Sequence, residues 1–110
     1  MTLQTQLVLR ALLQDPREQH YGLQLCEQTG LPSGTVYPIV ARLEQLGWLE
    51  SRWEDPDAHI AEGRPRRRYY RLTREGAERS RVAIAKAYRS RGRRAASWEV
   101  PGLGLPGARP

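Results

Sequence analysis

The stretch that most limits the fold runs from Leu31 to Tyr70, LPSGTVYPIVARLEQLGWLE followed by SRWEDPDAHIAEGRPRRRYY. Its first half reads as a short helix. Val36, Ile39, Val40 and Leu43 recur at i, i+3, i+4 and i+7, Leu46 extends the stripe, and Gly47 stops it. The second half reads as two aromatic-rich strands, Trp48–Glu54 and Arg67–Leu72. In the second strand Tyr70 and Leu72 share one face, Tyr69 and Arg71 the other. The connection Asp55–Arg66 is too long for a tight turn and is expected to be mobile without a partner. It closes on Gly63-Arg64-Pro65-Arg66-Arg67-Arg68. A short helix followed by an arginine-tipped hairpin is the layout of a winged helix-turn-helix.

The segments on either side agree with that layout. Leu3, Leu7, Val8, Ala11 and Leu12 recur at helical spacing, which predicts a first helix over residues 2–14. Leu9 and Leu13 widen its stripe, so part of it is expected to be covered by a second subunit. After a polar connection, Pro16–His20, a second helix is predicted over Tyr21–Thr29, with Gly30 in the left-handed position after it. Ser33 or Thr35 can cap the third helix; Pro38 favours Thr35, because it then falls within the first turn, where no helical N–H is needed. Thr73 caps a last helix over 74–91. Periodicity is lost from Gly92, and residues 101–110 hold six Gly or Pro, so the tail is expected to be disordered. The prediction is a mainly helical α+β chain. Residues 1–73 form the winged helix-turn-helix, a three-helix core plus a two-stranded wing; 74–91 form a C-terminal helix; 92–110 form a basic, then Gly/Pro-rich tail.

The charge is divided unevenly along the chain. Residues 1–63 carry four arginines and nine acids, a balance of −5, whereas residues 64–110 carry fourteen Arg or Lys and three Glu, a balance of +11. Such asymmetry points to a polyanionic partner on one face. A chain of 110 residues is one domain, too short for an enzyme with an interdomain cleft. No run approaches the ~18 apolar residues of a membrane span. Leu7–Leu13 lacks the basic flank and cleavage site of a signal peptide, and the single cysteine, Cys26, excludes an internal disulfide, so a cytoplasmic location is expected. Cys26, His20 and His59 lack metal-ligand spacing, and no catalytic pair or glycine-rich phosphate loop is visible; neither a metal, a cofactor nor enzymatic activity is expected. Trp48, Trp53, Tyr69 and Tyr70 suit hairpin packing or a ligand cage, which leaves a small-molecule effector open.

With the apolar stripe of the third helix turned inward, Gly34, Pro38, Ala41 and Gln45 face outward, flanked by Tyr37 and Arg42. Small residues let the backbone approach a major-groove floor, and Arg42 and Gln45 can reach phosphates or base edges. The hydroxyls of Ser33, Thr35 and Tyr37 suit phosphate. Pro65 keeps the arginine cluster extended, so Arg64 and Arg66 can point together into a narrow minor groove, whose negative potential attracts guanidinium groups.

YGLQL, GLPSGTVYP, RLEQLGWLESRWE and GRPRRRYYRLTREG, in this order and spacing, resemble the PadR family of bacterial transcriptional regulators over about residues 5–80. The resemblance implies a winged-helix fold, a homodimer and binding to a pseudo-palindromic operator in double-stranded DNA, usually as a repressor. It implies DNA contacts by Ser33, Thr35, Tyr37, Pro38 and Arg42 of the third helix and by Arg64, Arg66 and Arg67 of the wing, with Tyr21 on the same side. Family members use a C-terminal helix to dimerise; here that helix is short, alanine-rich and basic. The competing reading of the residues is a winged-helix interaction module that docks an acidic protein on its basic face.

Overall fold

Thr2 starts the first helix, α1 (Leu3–Gln14), by accepting the N–H of Thr5 at 3.1 Å. The computed structural model describes residues 1–98, and side chains for residues 1–90. After α1 come β1 (His20–Tyr21), α2 (Gly22–Thr29), α3 (Ser33–Gln45), β2 (Leu49–Trp53), α4 (Pro56–Glu62), β3 (Arg68–Leu72) and α5 (Arg74–Trp98). Met1–Ser80 forms one compact unit, and the part of α5 beyond Ser80 belongs to a second.

The core of the first unit is the inward face of three helices. Val8, Leu9 and Leu12 of α1, Leu25 of α2 and Val36 and Val40 of α3 are all 0% exposed. Each such side chain contributes roughly 1.5–3 kcal/mol by leaving water. Leu49, Tyr70 and Leu72 add the buried face of the sheet, as the alternation of the second strand predicts. Leu9, expected to widen the stripe towards a second subunit, is instead fully inside; Leu3 remains 56% exposed.

The helix α3 departs from expectation at its start. Pro32, not Thr35, is the N-cap, and its carbonyl accepts from the N–H groups of Thr35 at 2.9 Å and Val36 at 3.1 Å. Neither Ser33 nor Thr35 caps with its side chain. Pro38 therefore lies inside the helix, and the carbonyl of Gly34 loses the N–H it would otherwise receive. At the other end Gly47, with φ 79°, closes the helix. Its N–H reaches Glu44 and that of Trp48 reaches Leu43, both at 3.0 Å, so two terminal carbonyls are satisfied.

The wing differs from a plain two-stranded hairpin in two ways. The sheet has three antiparallel strands in the order β1-β3-β2, with Tyr21 opposite Tyr69 and Ser51 opposite Tyr70. The connection from Asp55 to Arg66 is also not irregular, because α4 occupies most of it. Asp55 caps α4 through the N–H of Asp57 at 3.0 Å, and Pro56 occupies its first turn.

Thr73 caps α5 as expected, accepting the N–H of Gly76 at 2.9 Å and donating to the Gly47 carbonyl at 2.8 Å. The helix passes the predicted end at Arg91 and continues through Trp98. The rest of the tail expected to be disordered, residues 99–110, lies outside the described residues. No helix among the described residues is long and apolar enough to cross a membrane.

Candidate nucleic-acid interface

Gly22 opens α2 directly beneath the ring of Tyr37 on α3, and a Cβ there would overlap that ring. The absence of a side chain at Gly22 therefore lets the two helices carry Tyr37 and Tyr21 close together. Tyr21 is the last residue of β1 and meets Tyr69 edge to face, with ring centroids 6.0 Å apart. The guanidinium of Arg67 lies 4.0 Å from the Tyr21 ring centroid. Across the groove Trp53, 51% exposed, is flanked by Arg66 at 5.7 Å and Arg68 at 5.2 Å. Tyr21, Tyr37, Arg64, Arg66 and Arg67 thus line one groove of about 410 Å³ between the helices and the wing.

The remaining predicted contacts sit elsewhere on α3. Thr35, Pro38 and Arg42 line a second, open groove of about 780 Å³ that also includes Met1, Ile39 and Leu46. Ser33 is exposed on the first helical turn. Gly34, Pro38, Ala41 and Gln45 are all exposed, so the outward face of α3 is the small-residue face expected from its periodicity.

Electrostatics sort the wing arginines. Glu54, its side chain only 6% exposed, receives both terminal nitrogens of Arg64 at 2.7 and 2.6 Å. It also accepts the backbone N–H of Arg67 at 3.2 Å and the hydroxyl of Tyr69 at 3.4 Å. The hydrogen bonds from Arg64 hold the Glu54 carboxyl at about 2, against burial, which acts the other way. Nε of Arg64 binds Glu62 at 2.7 Å, which lowers that carboxyl as well. Arg64 and Arg66 therefore do not project side by side as the extended backbone suggested: Arg64 is turned onto two carboxylates, and Nε of Arg66 donates to the Glu54 carbonyl at 2.7 Å.

Other cations are also neutralised. Arg68 pairs with Glu44, Arg71 with Glu50 and Arg79 with Glu75. Among the described residues Arg42, Arg66 and Arg67 form no ion pair. Arg42 on α3 and Arg66 and Arg67 on the wing thus keep their charge unmatched by an acid.

Sequence reasoning missed Glu54, the packing role of Gly22, and Trp53 as a platform for two arginines. Only Gly22 had a visible signal, its place in the YG pair beside Tyr21. Among the described residues no group of His, Cys, Asp and Glu is arranged to hold a metal ion.

The sequence matches the model of the Transcriptional regulator PadR-like family over residues 9–82. No protein with a curated function matches it. Among solved structures, a PadR family transcriptional regulator from Eggerthella lenta DSM 2243 is 31% identical, with a TM-score of 0.66 over 86% of this chain and 82% of that one. A PadR family transcription regulator from Clostridium difficile R20291 is 21% identical and shares the fold, with a TM-score of 0.64 over 87% and 98% of the two chains. A PadR-like transcriptional regulator from Bacillus cereus is 19% identical, with a TM-score of 0.60 over 92% of each chain. With the family matched across the three-helix core and the wing, the chain belongs to the PadR-like family of DNA-binding transcriptional regulators.

Proposed function

We propose that this regulator is a cytoplasmic repressor that grips a pseudo-palindromic operator as a homodimer. The third helix lies in the major groove and the wing lies beside it. The observation that carries this reading is the convergence of Tyr21, Tyr37, Arg66 and Arg67 on one groove next to the small-residue face of α3. Arg66 and Arg67 supply phosphate-seeking charge, while Arg42 and the hydroxyls of Ser33 and Thr35 lie along α3, where the backbone of DNA would pass. Pro38 helps by keeping the face shallow. Arg64 acts here as an internal tie of the wing rather than as a free cation, since each of its three nitrogens already has an acceptor.

Dimerisation is supported by apolar side chains left in solvent. Leu3 is 56% exposed, Val82 64% and Tyr88 70%, on α1 and α5. α5 is the proposed dimerisation helix, and it runs to Trp98, past the predicted end at Arg91. Base-specific donors are few on α3, so half-site spacing and DNA shape carry much of the discrimination.

Selecting duplexes from a random library with the pure protein, then footprinting the enriched duplex, tests the proposal. Two symmetric protected half-sites, centred one helical turn or a multiple apart, are expected. A single protected patch contradicts the dimer. No enrichment, together with capture of an acidic protein, favours the interaction-module reading.

A further inference from the structure

Of the five ion pairs among the described residues, Arg64–Glu54 is the most withdrawn from water, with side chains 19% and 6% exposed. Glu54 touches three arginines of the cluster. Its carboxylate takes the fork of Arg64 and the N–H of Arg67, and its carbonyl takes Nε of Arg66 at 2.7 Å. Its own N–H donates to the Arg67 carbonyl at 2.7 Å.

A carboxylate and a phosphate compete for the same guanidinium fork. The three arginines are engaged differently. Arg64 spends every nitrogen on Glu54 and Glu62, Arg66 is held by Nε alone, and Arg67 is held through its backbone while its guanidinium stacks on Tyr21. One acid therefore removes one cation from the DNA-facing set and positions the other two.

We propose that Glu54 is a specificity-determining residue of the wing. It withholds Arg64 from sequence-blind phosphate contact, and it fixes Arg66 and Arg67 for the contacts that remain. The inference rests on the reading that the wing meets DNA. Its consequence is unusual for a charge in a DNA-binding element: removing it adds affinity of the wrong kind. With Glu54 neutralised, the two terminal nitrogens of Arg64 lose their carboxylate and are released to any phosphate within reach, while Nε stays on the exposed Glu62. Binding to arbitrary duplex then tightens and grows more salt-dependent, while preference for the operator falls.

The test measures binding of the full chain to a random-sequence duplex and to the duplex that the wild type enriches from a library, across a salt series. Glu54→Gln is expected to steepen the log–log salt slope on random duplex by about 0.9 per bound subunit, roughly 8-fold tighter binding at ~0.1 M salt. The ratio of enriched to random affinity should fall. In Glu54→Gln/Arg64→Gln, which removes both charges, the slope should return to that of the wild type. A Glu54→Gln slope equal to or shallower than the wild type's would overturn the proposal. So would a double variant shallower than the wild type, since Arg64 would then already contact phosphate. If the single variant does not fold, as judged by circular dichroism, the double variant decides on that same criterion. A wild type that binds neither duplex refutes the DNA-facing wing itself, a different failure from an unchanged slope.

Discussion

A methyl group added at Gly22 meets the ring of Tyr37, whereas one added at Gly76 meets the backbone carbonyl of Trp48. The first neighbour can yield, because Tyr37 is 43% exposed and its ring can swing outward. The second cannot, because that carbonyl is held by the N–H of Thr73 at 2.9 Å. Gly22→Ala is therefore expected to cost about 1 kcal/mol and Gly76→Ala about 3 kcal/mol in urea denaturation; equal losses would contradict the packing described. Gly22→Ala should also weaken DNA binding, since it displaces Tyr37 from the groove. Glu54 makes a separate prediction. Its folded value of about 2 lies below the ordinary 4.5, so its stabilising contribution is complete above about pH 4.5 and is lost as pH falls from there through about 2. The stability gap between wild type and Glu54→Gln should thus narrow between pH ~6 and pH ~2.5. A gap that does not change would mean that Arg64 and Glu54 are not paired in solution. The Glu54–Arg64 pair was not legible in the sequence, whereas Gly22 was marked by its place beside Tyr21. Glu54 and Arg64 are joined by the folding of the chain around α4, and residue spacing does not reveal which acid an arginine will meet.

At the scale of elements, α3 carries an interior proline for which its sequence offers no local compensation. Pro38→Ala restores a donor for the Gly34 carbonyl and removes the ring from the preceding turn. It is expected to raise stability by about 1 kcal/mol or more, after allowing for the greater freedom of the unfolded chain. A loss of stability in thermal unfolding would contradict the strain attributed to Pro38. The buried side of α3 was readable through Val36, Val40 and Leu43, which repeat at helical spacing and are buried, whereas Leu46, expected to extend the stripe, is 57% exposed. Its beginning was not, because Pro32 caps through its carbonyl and leaves the hydroxyls, the usual signal, unused. α4 presents the opposite case. Asp55-Pro56 and Gly63 are ordinary start and stop signals, but the seven residues of α4 are too few for an apolar period, and none of them is buried. β1, with two residues, is set by pairing to β3 rather than by any pattern of its own.

At the scale of the molecule, the division of charge along the chain pointed to a polyanion before any fold was known. The structure refines that argument. Arg64, Arg68, Arg71 and Arg79 are matched by acids, so the basic half offers DNA fewer cations than its composition suggests. Under the proposed dimerisation through the exposed apolar residues of α1 and α5, sedimentation equilibrium should find two copies of the chain; a monomer at micromolar concentration would contradict the dimer. Under the proposed function, the α3 and wing face holds DNA through a small set of unpaired arginines. The salt dependence of duplex affinity tests it most directly. With about 4 phosphate contacts per subunit, about 8 per dimer, the log–log slope should be about −7, and Arg66→Gln/Arg67→Gln should make it shallower by about 3.5. A wild-type slope near about −1, or one that this double substitution leaves unchanged, would contradict the account.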